Sequence, residues 1–134
     1  MLTLGEACMK AGGLSSLCSF TSSHYHEALT DAWITGTELL LKESPIEVFQ
    51  SYLPVPGGHD VSGGVLADKF CVHVVDQHHD HLVRFSFNRH CVSPGAIEHV
   101  CASCPRLEEL FVTIKFTEMV YPPFFFRIYL QKDN

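Results

Sequence analysis

The residue pattern predicts an α/β fold, a short leucine-rich-repeat solenoid of about four irregular strand-helix units. Three observations carry that reading. Residues 82–112, LVRFSFNRHCVSPGAIEHVCASCPRLEELFV, hold one strand frame twice, as Leu82-x-x-Phe85-x-Phe87 and Leu107-x-x-Leu110-x-Val112. Their first positions lie 25 residues apart, inside the period of about 20–29 residues at which leucine-rich units recur. Between the two copies, Ser93 reads as an N-cap, Pro94 as the first helical residue and Pro105 as the stop before the second strand. Two earlier stretches, Leu14-x-x-Leu17-x-Ser19 and Ile46-x-x-Phe49-x-Ser51, fit the same frame, and each of the four strands follows a candidate helix, at 4–11, 28–42, 66–79 and 94–103. An ordinary α/β domain with alternating helices and strands would share much of this pattern.

The first helix stops at Gly12-Gly13, because glycine takes the left-handed conformation of a helix end at little cost. Its strand follows inside GGLSSLCSF, and residues 21–31, TSSHYHEALTD, read as a polar loop into the second helix. Ser44-Pro45 closes that helix and leads into SPIEVFQSY, since the residue before a proline is pushed toward extended backbone; Cys104-Pro105 repeats the device. Val55 to Gly64, VPGGHDVSGG, is glycine-rich and reads as a surface loop. In the third helix Leu66, Phe70, Val74 and Val75 share a face. In the fourth, Ile97, Val100, Cys101 and Cys104 fall at i, i+3, i+4 and i+7, one apolar face against the strands. First-position spacings of 32, 36 and 25 make the units irregular.

The division expected is a leucine-rich-repeat-like region over 1–113 and an atypical aromatic tail or C-terminal cap over 114–134. The tail, with Tyr121, Phe124, Phe125, Phe126 and Tyr129, abandons the strand-helix pattern. It reads either as a cover for the last strand's open edge, which a solenoid end requires, or as a segment foreign to the parental fold. At the other end, the first unit lacks a polar capping element, which points to a piece of a longer array.

A length of 134 residues with 46% hydrophobic side chains suits one packed domain and excludes disorder. A net charge of −6 without a basic run argues against a nucleic-acid partner. No apolar run is long enough to cross a bilayer, and MLTLGEACMKAGG lacks the features of a signal peptide, so no membrane partner and a cytoplasmic or nuclear location are expected. In such a compartment the six cysteines read as reduced core residues, with Cys71, Cys91, Cys101 and Cys104 at core-facing positions.

Candidate chemistry is thin. Cys101-x-x-Cys104 has zinc or redox spacing, but no second such pair completes a site. His78, His79 and His81 with Asp80 offer imidazole and carboxylate ligands, yet consecutive residues at a helix end diverge; a solvated helix C-terminus is expected there. No G-x-S-x-G elbow, phosphate loop or H-E-x-x-H is present. The chain is therefore read as a non-enzyme without catalytic residues, metal or cofactor. His26-Glu27-Ala28-Leu29-Thr30-Asp31-Ala32-Trp33-Ile34-Thr35-Gly36 resembles the H-x-A-x-x-D-A-x-x-T-G segment of poly(A)-specific ribonuclease-type deadenylases, in which the histidine is the general base and the aspartate a metal ligand. Two-metal cleavage needs several carboxylates around ions about 4 Å apart, and no D-x-E pair exists here. What that alternative implies is an inactive fragment around His26 and Asp31. A plain structural account places Asp31 in a helix's first turn, with Ala28, Ala32 and Trp33 packing.

SPIEVFQSY followed by HLVRFSFNRHCVSPGAIEHVCASCPRLEELFV resembles the repeat region of fungal F-box-type leucine-rich-repeat proteins over roughly 30–113. The resemblance implies the target-recognition part of a ubiquitin-ligase adaptor, with a protein substrate as partner and an SCF adaptor only if an F-box is supplied elsewhere. From the frame alone, the x positions point away from the helices: Glu47, Val48 and Gln50, then Val83, Arg84, Ser86 and Arg89, then Glu108, Glu109 and Phe111. Of these, Arg84, Ser86, Arg89, Glu108, Glu109 and Phe111 are the expected protein-binding residues, because mixed charge with apolar surface suits a protein ligand.

Overall fold

A computed structural model describes residues 2–23, 29–52, 64–114 and 124–129 of the chain. The described elements, in order, are α1 (Leu2–Lys10), β1 (Ser19–Ser23), α2 (Asp31–Leu41), β2 (Val48–Tyr52), α3 (Gly64–His78), β3 (Arg84–Val92), α4 (Pro94–Ser103), β4 (Glu109–Ile114) and β5 (Phe124–Tyr129). The five strands form one sheet in sequence order. β1 to β4 pair in parallel, and β5 closes against β4 antiparallel. Neighbouring helices touch in the same order, α1 on α2, α2 on α3 and α3 on α4, so one helix layer backs the strands.

Local chemistry explains the helix ends. α1 stops where Gly12 and Gly13 take φ of 92° and 77°, and the Gly13 N–H donates to the Cys8 carbonyl at 2.8 Å. Thr30 caps α2 by accepting from the Trp33 N–H at 3.2 Å. Ser93 caps α4 by accepting from the Ala96 N–H at 3.2 Å, and its own N–H donates to Asp68 of α3 at 2.8 Å, tying the cap to the neighbouring helix. α1 lies so close to α2 that a methyl group on Gly5 would stand 2.5 Å from the Gly36 carbonyl oxygen. Glycine at 5 is therefore a packing requirement.

Strand register corrects the frame of the first unit. Ser19 pairs with Val48, Phe20 with Phe49 and Ser22 with Ser51, which places Leu17 opposite Ile46. The first unit is thus Leu17-x-x-Phe20-x-Ser22, three residues later than the expected frame at Leu14. LSSL and LCSF both satisfy the spacing, and the choice falls to the frame that brings Phe20 onto the sheet. Phe20 stacks on Phe49 with ring centroids 5.5 Å apart, and Phe49 stacks on Phe85 at 5.5 Å. Residues 21–23, expected in a polar loop, consequently belong to β1.

One backbone rung recurs at each junction. The Cys18 carbonyl accepts the N–H groups of Glu47 and Val48 at 2.8 and 3.1 Å. The Glu47 carbonyl accepts those of Val83 and Arg84 at 2.8 and 3.0 Å, and the Val83 carbonyl those of Glu108 and Glu109 at 2.8 and 3.2 Å. Cys18, Glu47, Val83 and Glu108 therefore hold the same place in four successive strands.

Inward positions build the core. Ile46, Leu82 and Leu107 at the first position, and Phe49, Phe85 and Leu110 at the fourth, are all buried. At the sixth, Phe87 and Val112 fill the later units while Ser22 and Ser51 leave less bulk in the earlier ones. The helices supply it there: Trp33 lies 5.1 Å from Phe70, and Phe70 reaches to 5.6 Å from Phe49 and 5.5 Å from Phe87. Each fully buried phenylalanine contributes about 1.5–3 kcal/mol through apolar burial, so this ladder fixes the register.

In α4 the buried line runs through Ala96 and Val100 to Cys104, with Ile97 half-buried and Cys101 exposed. The expected core position of Cys101 is therefore wrong: the helix is rotated so that Ala96 takes the inner side. The other expected face, in α3, holds Phe70, Val74 and Val75 in the core with Leu66 at its margin. Val55 to Gly63 and the tail segments 115–123 and 130–134 lie outside the described residues. β5 carries the tail's backbone onto the open side of β4, Phe124 opposite Ile114 and Tyr129 opposite Glu109.

Candidate protein-binding surface

Side chains alternate across a strand, so residues between the buried ones emerge on the face away from the helices. Register aligns them in two rows: Ser19, Val48, Arg84 and Glu109, then Thr21, Gln50, Ser86 and Phe111. Adjacent strands bring each side chain within reach of its cross-strand neighbour. Thr21 Oγ1 donates to Gln50 Oε1 at 3.1 Å, and Arg84 Nε pairs with Glu109 Oε2. Glu109 is 8% exposed, and the guanidinium balances its charge where water is largely excluded.

Gln50, Arg84, Ser86, Glu109 and Phe111 line a concavity of about 210 Å³ on this face. Four of the six expected binding residues, Arg84, Ser86, Glu109 and Phe111, are thus brought together. Two are not. Glu108 is exposed at the rung position beside the strand's start and does not line the concavity. Arg89 falls in the stretch where β3 shifts register against β4, between Phe87 and Cys91, and its side chain lies outside the described residues. Gln50, an outward x position of the frame, completes the wall, where it stands opposite Ser86.

The other candidate groups are dispersed. Asp31 is exposed in the first turn of α2 and pairs with Lys69 of α3 at 3.4 Å. His26 and Ala28 lie outside the described residues, and Ala32, expected to pack, is exposed while Trp33 is buried. The histidine group divides as well. His79 and His81 are exposed, but His78 is buried with Nε2 lacking a hydrogen-bond partner, so the expected solvated helix end does not hold for it. Burial pushes the His78 pKa down to about 4, against the backbone of Ser44, which favours the charged ring, and with a further lowering from His81. Among the described residues no group of three or more His, Cys, Asp and Glu side chains is placed to hold a metal ion. Burial pushes the Cys104 thiol up to about 11, with Cys101 and Asp76 adding to it, and raises the Cys101 thiol too. Neither sulfur is activated as a thiolate. No described helix is long and apolar enough to cross a membrane.

Comparison with family models, with curated proteins and with solved structures returns no match to this sequence.

Proposed function

We propose that this chain is a leucine-rich-repeat-type solenoid that binds a protein ligand on the helix-free face of its sheet. In that reading it is the target-recognition part of an F-box-type ubiquitin-ligase adaptor, joined to an SCF adaptor only where an F-box is supplied by another segment or subunit. The observation that carries the proposal is the meeting of Arg84, Ser86, Glu109 and Phe111 with Gln50 around one concavity. An aromatic ring, a partly exposed arginine and neutral hydrogen-bonding groups in a hollow are the composition of an interaction centre. The recurring rung and sequential strand order support the solenoid, because a repeat array keeps each unit in the same relation to the next.

The test uses the full chain as bait and measures the affinity of a captured protein by biosensor. Replacing Arg84, Glu109 and Phe111 together by alanine should weaken binding by at least about tenfold, since central interface side chains carry most of the energy. Unchanged affinity in a variant that still melts cooperatively removes this face as the site.

A further inference from the structure

We propose that the concavity takes a carboxylate from the protein ligand, either an aspartate or glutamate side chain or a chain terminus. This rests on the protein-binding reading above and names its anchor. The argument is an inventory of hydrogen-bonding capacity. Gln50 has its carbonyl oxygen engaged by the Thr21 hydroxyl at 3.1 Å, which leaves the two N–H donors of its amide. Arg84, which pairs with Glu109 through Nε, brings a guanidinium with five N–H donors on a side chain that is 50% exposed. Ser86 adds a hydroxyl able to donate. Gln50, Arg84 and Ser86 together carry more N–H and O–H donors than the pairing with Glu109 uses, so the complementary group is an acceptor.

A carboxylate fits better than a neutral amide for two reasons. Arginine presents a planar fork that meets a carboxylate with two parallel hydrogen bonds, and charge-assisted bonds are about twice as strong as neutral ones. Glu109 also fixes the fork in place, which lowers the entropy lost on binding. Arg84 offsets the Glu109 charge, and the more distant Glu47 and Glu108 are exposed, where salt screens them over about 8 Å. Phe111 gives the methylene groups of the anchor an apolar wall. The volume of about 210 Å³ exceeds the roughly 150 Å³ of a cavity that holds benzene. It admits one side chain or chain end, and so selects an extended segment with a single anchor.

Random peptides displayed on phage and selected on the immobilised full chain test this, with the enriched sequences as probes. Enriched peptides should share an aspartate, a glutamate or a free terminal carboxylate. Converting that group to its amide should weaken binding about tenfold, as expected for losing a hydrogen bond to a charged group. Removing Gln50 and Ser86 donors in a Gln50→Ala, Ser86→Ala variant, which keeps the Arg84 and Glu109 pair, should weaken the acidic peptide by a larger factor than its amide form. Peptides without a common carboxylate that still lose binding in Phe111→Ala overturn the carboxylate anchor and leave the protein-binding face standing. Peptides indifferent to every substitution on this face, or a selection that yields none, overturn both. Thermal melts establish that each variant is folded.

Discussion

The two faces of this sheet share a backbone but obey different constraints. On the inner face, Phe20, Phe49 and Phe85 stack in one row, and Phe49 at its centre touches both of the other rings and Phe70 of the helix layer. On the outer face, polar side chains meet across neighbouring strands, Thr21 with Gln50 and Arg84 with Glu109. The inner face therefore sets register and the outer face is left to vary in chemistry. That division is why a candidate site appears on the side with little apolar packing, at the third and fifth positions of the frame.

The contrast is broken most severely by emptying the inner ladder. Phe85→Ala should cost about 3–5 kcal/mol in chemical denaturation, the range for deleting a buried aromatic ring; a loss below 1 kcal/mol would mean that the stacked row does not hold the sheet. Ile46→Ala should cost about 2–5 kcal/mol, and Leu17→Ala distinctly less, because Leu17 holds the same place at the half-buried margin of the sheet. Equal costs would contradict the difference between centre and edge.

Acid should weaken the inner side through His78. Its pKa in the fold is about 4, below the ordinary value of 6.5, so between these values the unfolded chain binds the proton more readily. The stability attached to the neutral ring is complete above pH 6.5 and is lost as pH falls through about 4. A His78→Leu variant should show a flatter pH dependence of melting over that window; an identical slope would remove His78 as the cause. The smallest effect is expected at Ser51, a buried hydroxyl without a hydrogen-bond partner. Ser51→Ala should leave stability within about 1 kcal/mol of the parent, or raise it, since an unsatisfied polar group is removed.

Much of the architecture was legible because buried strand positions repeat. Leu82 and Leu107 marked two strands at unit spacing, Ser93 and Pro94 marked a helix start, and Gly12-Gly13 a helix stop; all recur in the structure. The first unit was misplaced because Leu14 and Leu17 both begin an acceptable frame, and only the pairing of Phe20 with Phe49 separates them. Cys101 and His78 were misassigned for a related reason: helix rotation is decided by what the neighbouring layer offers, and one helix's spacing does not contain that information. The concavity was legible in four residues. Gln50, also an outward position of the frame, joins them beside Ser86 through cross-strand register, and the Arg89 side chain lies outside the described residues.

The central claim, that ligand binds the helix-free face, is tested most directly by photocrosslinking from each side of the sheet. A benzophenone side chain placed at position 111 on the outer face, and separately at His73 on the exposed side of α3, would be irradiated with a bound protein ligand. Adduct formation from position 111 and none from position 73 is the predicted result; adduct from position 73 alone would place the ligand on the helices and contradict the account.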